Sequence, residues 1–146
     1  MKNIVIKPIG VIHSPYKKLE GMPIQAYRSD KSGKIELYKK YKKGLQDIEG
    51  FSHLIILYQF HRAKPYSLLK SPFLDDRPRG VFAMRGPSRP NYIGISIIKL
   101  IKVTGNILKV GNIDVLDGTP LLDIKPYVKK FDTRKNVKIG WLKGKI

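Results

Sequence analysis

Apolar residues in this chain come in short blocks separated by turn-forming residues. Most blocks have the length and β-branched content of strands rather than helices. Residues 4–13 are apolar and β-branched, and residues 33–38 put Ile35 and Leu37 on one face. Within residues 51–60, Leu54, Ile55, Ile56, Leu57 and Tyr58 are consecutive, which predicts a strand buried on both faces. Residues 81–84 predict another short strand. Residues 93–103 and 107–116 flank Gly105-Asn106 and predict a hairpin. Asp117-Gly118-Thr119-Pro120 predicts a turn, and residues 121–127 a further extended piece. One short helix is predicted over 37–47, where Tyr38, Tyr41 and Leu45 fall at helical spacing. Residues 137–142 read as a last strand with basic flanks. Many short strands between turns predict a mainly β fold, a single β-barrel with one or two short helices, with 1–146 as one domain. No Gly-x-Gly-x-x-Gly follows a strand and there is no P-loop, so no Rossmann domain is expected.

Charge sharpens this picture. The 146 residues hold 29 Lys+Arg against 11 Asp+Glu, a net +18. Such a field captures polyanions, and nucleic acid is the leading partner class. Anionic membrane is second, but no basic amphipathic helix supports it. The lesser alternative is a lysine-rich surface that only reflects composition, since many of the lysines are scattered. No apolar run approaches the ~18 residues that span a membrane. The first residues lack a signal-peptide core, so the protein is expected to be cytoplasmic. The chain has no cysteine, and His13, His53 and His61 lack metal-site spacing with carboxylates, so no metal site is expected.

Four groups of residues could carry chemistry. In Pro23-Ile24-Gln25-Ala26-Tyr27, Gln25 can donate and accept at once, as recognition of an amide, amine or base requires. His61-Arg62 ends the apolar block 51–60, where barrel ligand sites often open. Between Gly80 and Gly94, Arg85 and Arg89 sit in a stiff loop with Pro87, Pro90 and Asn91. Guanidiniums there suit phosphates or carboxylates, or the loop is simply an arginine-rich turn that caps the barrel. Gly94 reads as a close approach or a bulge. The last group contains Asn112, Ile113, Asp114, Asp117, Asp123, Lys125 and Tyr127. Its carboxylates suit ribose hydroxyls or ammonium groups; Asp117 also reads as a turn cap, and Asp123–Lys125 as a structural pair.

In this order the groups resemble the TrmO (TsaA) family of S-adenosylmethionine-dependent tRNA methyltransferases. The resemblance starts at Ile9-Gly10-Val11-Ile12-His13-Ser14-Pro15-Tyr16 and runs through Gly44-Leu45-Gln46-Asp47-Ile48-Glu49-Gly50-Phe51-Ser52-His53-Leu54. It includes Gly80-Val81-Phe82-Ala83, Arg85 and Arg89-Pro90-Asn91, and closes on Asp117-Gly118-Thr119-Pro120 and Asp123-Ile124-Lys125-Pro126-Tyr127. It implies a barrel enzyme without a Rossmann domain that works as a homodimer, with its site near the dimer interface. It implies in-line methyl transfer to N6 of threonylcarbamoylated adenosine 37, beside the tRNA anticodon. S-adenosyl-L-methionine would be held by Gln25, Ala26, Tyr27, His61, Arg62, Arg85, Ile95, Asn112, Ile113 and Asp114. Arg89, Asn91, Lys125 and Tyr127 would face the modified base or its phosphates, and Asp114 or Asp117 would suit the ribose diol or the amino group. Asp117 would be the base, or Arg89 and Lys125 would stabilise the developing anion. Gly86 and Tyr92 depart from the pattern, since many members have Ser and Pro there. Longer bacterial members carry a C-terminal extension; where it grips tRNA, the basic stretch 129–145 would take that part here. Without catalysis, the same chain would be a basic β-barrel that binds structured RNA. It could also be a small-molecule-binding barrel whose charge only reflects composition.

Overall fold

A computed structural model describes residues 2–18, 27 and 29–146. The strands among them are β1 (Gly10–His13), β2 (Ser32–Leu37), β3 (His53–Gln59), β4 (Leu69–Lys70), β5 (Arg79–Gly80), β6 (Ile93–Thr104), β7 (Ile107–Gly111) and β8 (Thr119–Pro126). Six close a barrel in the order β1-β2-β7-β6-β3-β8, and β8 returns to β1. The short β4–β5 ladder stands apart from it.

Alternation along the strands fills the interior. Ile12, Ile35, Leu54, Ile56, Ile98, Leu108, Val110 and Leu121 are all 0% exposed. A barrel this narrow is packed solid by its own side chains, so a ligand must bind at its mouth or on its wall. The predicted helix forms as a 3-10 segment, Lys39–Leu45. No acid stands in its first turn to meet the positive end, and Gly44 weakens its last turn. Leu45, with Tyr41 and Ile48, closes one end of the barrel core.

The 105–106 hairpin forms, with Gly105 at φ 62 in its turn, but β7 stops at Gly111 rather than running to residue 116. Three further strands do not form as drawn. Pairing begins only at Gly10, and Ile4, Val5 and Ile6 are exposed. Residues Val81–Ala83 make a 3-10 turn with Phe82 in solvent. Residues 137–142 hold no strand; a single α-helical turn, α1 (Lys129–Asp132), and a 3-10 turn, Gly140–Leu142, stand in the tail instead. A closed barrel leaves no free edge for a last strand to join.

Candidate functional site

At one barrel end, β1, β3 and β7 finish while β2, β6 and β8 begin. The candidate residues gather there from separate parts of the chain. Asp114 leaves β7, and the Asp117-Gly118 turn leads into β8, with Gly118 at φ 83. His61 and Arg62 turn out of β3, and the arginine loop enters β6.

The centre of this end is a hydrogen-bond chain. The Tyr58 hydroxyl lies 2.8 Å from Ser96 Oγ, which donates to Asp114 Oδ1 at 2.6 Å. Ser96 has one proton and gives it to the carboxylate, so Tyr58 donates to Ser96. Burial pushes the Asp114 carboxyl up to about 6. Burial, then the Asp114 charge, raises the Tyr58 phenol far above its usual value. No cationic side chain among the described residues pairs with Asp114. A half-buried carboxylate that accepts from the Ser96 hydroxyl and from its own backbone N–H suits a cationic ligand.

Asp117 is held differently. It accepts from the Ser14 backbone N–H at 2.9 Å and from Lys17 Nζ at 2.7 Å. Lys17, then the Ser14 N–H, keeps its carboxyl below the usual range. A carboxylate fixed as an anion is a weak proton acceptor, so the geometry favours an anchoring part over the base expected of it. Partial burial, then the Arg62 charge, lowers the His61 imidazole below its usual value.

The arginine loop is stiffened from within. Arg89 Nη1 donates to the carbonyls of Met84 at 2.7 Å and Gly86 at 3.4 Å. Asn91 and Tyr92 both adopt left-handed φ, 66° and 52°. Successive non-glycine residues there are strained, and such strain gathers at functional sites. A proline at position 92 could not adopt that φ. From outside, the Trp141 indole N–H donates to the Ala83 carbonyl at 2.7 Å, and Arg79 lies over its ring.

The other expected residues fall as follows. Gln25 and Ala26 lie outside the described residues. Tyr27 and Arg85 are exposed, as are His61, Arg62 and Asn91. The Asn112 amide donates to the Ser29 carbonyl at 2.9 Å, from a φ of 57°. Ile113 is 0% exposed, so its side chain belongs to the core and only its backbone could face a ligand. Ile95 points off the outer wall of β6. Lys125 and Tyr127 do not join the cluster. Thr119 opens β8 at the site end, and Lys125 lies six residues on, about 20 Å away. There Lys125 pairs with Asp123 at 2.9 Å, and the Tyr127 ring meets His53 edge-on.

Sequence reasoning did not find Tyr58 or Ser96. The signal was a serine at an inward position of β6, between Gly94 and Ile98. Among the described residues no three His, Asp or Glu side chains gather as metal ligands, and no helix is long and apolar enough to cross a membrane.

Residues 11–133 match the family model of the tRNA-methyltransferase O N-terminal domain. The chain is 52% identical over 144 residues to a probable S-adenosyl-L-methionine-binding protein of Pyrococcus abyssi, covering 98% of this chain and 78% of that one. It is 34% identical over 143 residues to the human tRNA (adenine(37)-N6)-methyltransferase, covering 92% of this chain and 32% of the human protein. It superposes on the crystal structure of TrmO from Pseudomonas aeruginosa with a TM-score of 0.81 at 35% identity, over 95% of this chain and 62% of that one. The chain thus spans less than two thirds of that solved structure and about a third of the human protein.

Proposed function

Because the chain belongs to the tRNA-methyltransferase O family, we propose that it methylates N6 of threonylcarbamoylated adenosine 37 in tRNA, using S-adenosylmethionine. The observation that carries this reading is the convergence of family-matching segments at one barrel end, around a half-buried carboxylate that pairs with no cationic side chain among the described residues.

The donor set fits the cofactor. Asp114 suits its ammonium group or ribose hydroxyls, and Arg85 suits its carboxylate. Bound S-adenosylmethionine supplies a methyl group already activated on a sulfonium. The chain's own residues must then hold N6 in line with it and accept the N6 proton. Arg89 and Asn91 stand on the strained loop that would face the base and its carboxylate-bearing substituent. An unstacked base of the anticodon loop can enter such a mouth from outside.

Lys125 and Tyr127 reach this site only from a second copy. The outer wall offers a surface for one. Ile97 faces Ile55, and Ile95 faces Leu57, across β6 and β3, with Asp123 and Lys125 beside them on β8. An apolar patch with a polar rim is the anatomy of a protein interface. Sedimentation at micromolar concentration is expected to give a dimer, and Ile97→Glu a monomer. A wild-type boundary at the monomer mass contradicts the shared site.

Calorimetric titration with S-adenosylmethionine tests the cofactor reading. Saturable binding near one per chain is expected, weakened at least tenfold in Arg85→Ala. Unchanged affinity in that variant removes Arg85 from the site. The net charge of +18 also favours RNA binding without catalysis. That second reading predicts tight tRNA binding and no cofactor affinity, with or without RNA.

A further inference from the structure

The barrel's register lines up lysines on a face that the candidate site does not use. Lys34 on β2 stands opposite Lys109 on β7, and Lys109 stands opposite Lys102 on β6. On the other side, His13 on β1 stands opposite Lys34. All four are exposed on the outer wall, while their neighbours Ile12, Ile35 and Leu108 point into the core. Strands lie about 4.8 Å apart, so the row from Lys34 to Lys102 crosses about 10 Å of wall. Like charges directly opposite one another destabilise a sheet.

A β-bulge completes the row. The β6–β7 ladder pairs Lys99 with Gly111 and Leu100 with Val110, and unbroken pairing would set Ile101 against Lys109. The register shifts between Leu100 and Lys102, and Lys102 takes that place. Bulges re-aim side chains, and this one exchanges an isoleucine for a third lysine. Among the described residues no carboxylate lies within ion-pair distance of Lys34, Lys102 or Lys109. Glu36, between them and β1, is taken by His13 at 3.0 Å. Glu49 shares a hollow with Lys102 but is too far for an ion pair.

We propose that this row is a docking ridge for an RNA phosphodiester backbone, along which the body of the tRNA lies while its anticodon loop enters the barrel end. The proposal rests on the reading of tRNA as substrate. Ammonium groups are point charges suited to phosphate, and three in one row turn diffuse attraction into orientation. Phosphates on the ridge would neutralise the repulsion that the register builds in.

The test compares two triple variants with equal charge change. One carries Lys34→Gln, Lys102→Gln and Lys109→Gln. The control carries Lys39→Gln, Lys42→Gln and Lys43→Gln, at the end of the barrel away from the site. Binding of tRNA is followed by fluorescence anisotropy across a salt series. The ridge variant is expected to lose at least tenfold in affinity near 150 mM salt. Its slope of log K against log salt should fall by about 2, since each phosphate contact contributes about 0.7 to 0.9. Its S-adenosylmethionine affinity and melting temperature should not fall. Equal losses in both variants mean that only total charge acts, and they overturn the ridge. Unchanged tRNA binding in the ridge variant overturns it too, as does a loss confined to phosphatidylserine vesicles. A wild-type protein that binds no tRNA overturns both the ridge and the substrate reading. A wild-type protein that binds tRNA through the ridge but transfers no methyl group supports the ridge and overturns the catalytic reading alone.

Discussion

Asp114 shows how one side chain carries a conflict between stability and function. Its environment raises the carboxyl from 3.8 to about 6. The folded state therefore holds that proton more tightly than the unfolded chain does. The stability this confers is fully present below the unfolded value, near pH 4, and is lost as pH rises through about 6. At neutral pH the buried charge costs on the order of 2 kcal/mol. Asp114→Asn keeps an oxygen for the Ser96 hydroxyl and removes the charge. It is expected to be more stable than wild type by about 1–3 kcal/mol at pH 7.5, with the difference gone near pH 4. Thermal unfolding at the two pH values measures this, together with a loss of cofactor affinity in the variant. Equal melting temperatures at pH 7.5 would contradict the burial argument. Asp117, tied to Ser14 and Lys17, behaves in the opposite sense: its stability is present above its unfolded value and lost on acidification.

Among the elements, β6 is the one that builds the site. Gly94 faces inward, and a Cβ there would run into the rings of Tyr58 and Phe60. Gly94→Ala is therefore expected to push Tyr58 off Ser96 and cost about 1–3 kcal/mol, with the Asp114 pKa moving in the same variant. Proton titration by NMR checks it, and an Asp114 value unchanged from wild type would break the link between Gly94 and the carboxylate. The strand pattern of β6 and β7 was legible because the alternation is regular and Gly105-Asn106 marks the turn. Residues 81–83 misled because Val81, Phe82 and Ala83 are apolar in sequence, yet only Val81 is buried. Residues 137–142 misled because sequence does not show that β1 and β8 already close the wall. The arginine loop and Asp114 were legible as candidates. Their connection through Ser96 and Tyr58 was not, because Ser96 comes opposite Asp114 only after the bulge shifts the β6–β7 register, and Tyr58, 56 positions before Asp114, joins through the β3–β6 register. The separation of Lys125 from Asp117 was hidden for a related reason: neighbours along a strand are not neighbours in a site.

Across the whole molecule, charge and shape divide the work. A solid core leaves the mouth of the barrel for the proposed chemistry, and the +18 field attracts polyanions to its surface. The apolar wall of β3 and β6 offers a second copy the place from which its Lys125 and Tyr127 could complete the mouth. In the proposed function these parts would serve one reaction on one nucleotide. The most direct measurement is incubation of the purified protein with methyl-labelled S-adenosylmethionine and tRNA, followed by mass spectrometry of the nucleosides. Two tRNA preparations are compared, one carrying threonylcarbamoyladenosine at position 37 and one without it. One methyl group on N6 of that nucleotide, and none on the unmodified tRNA, is the expected result. No transfer, or transfer to another position, would contradict the account.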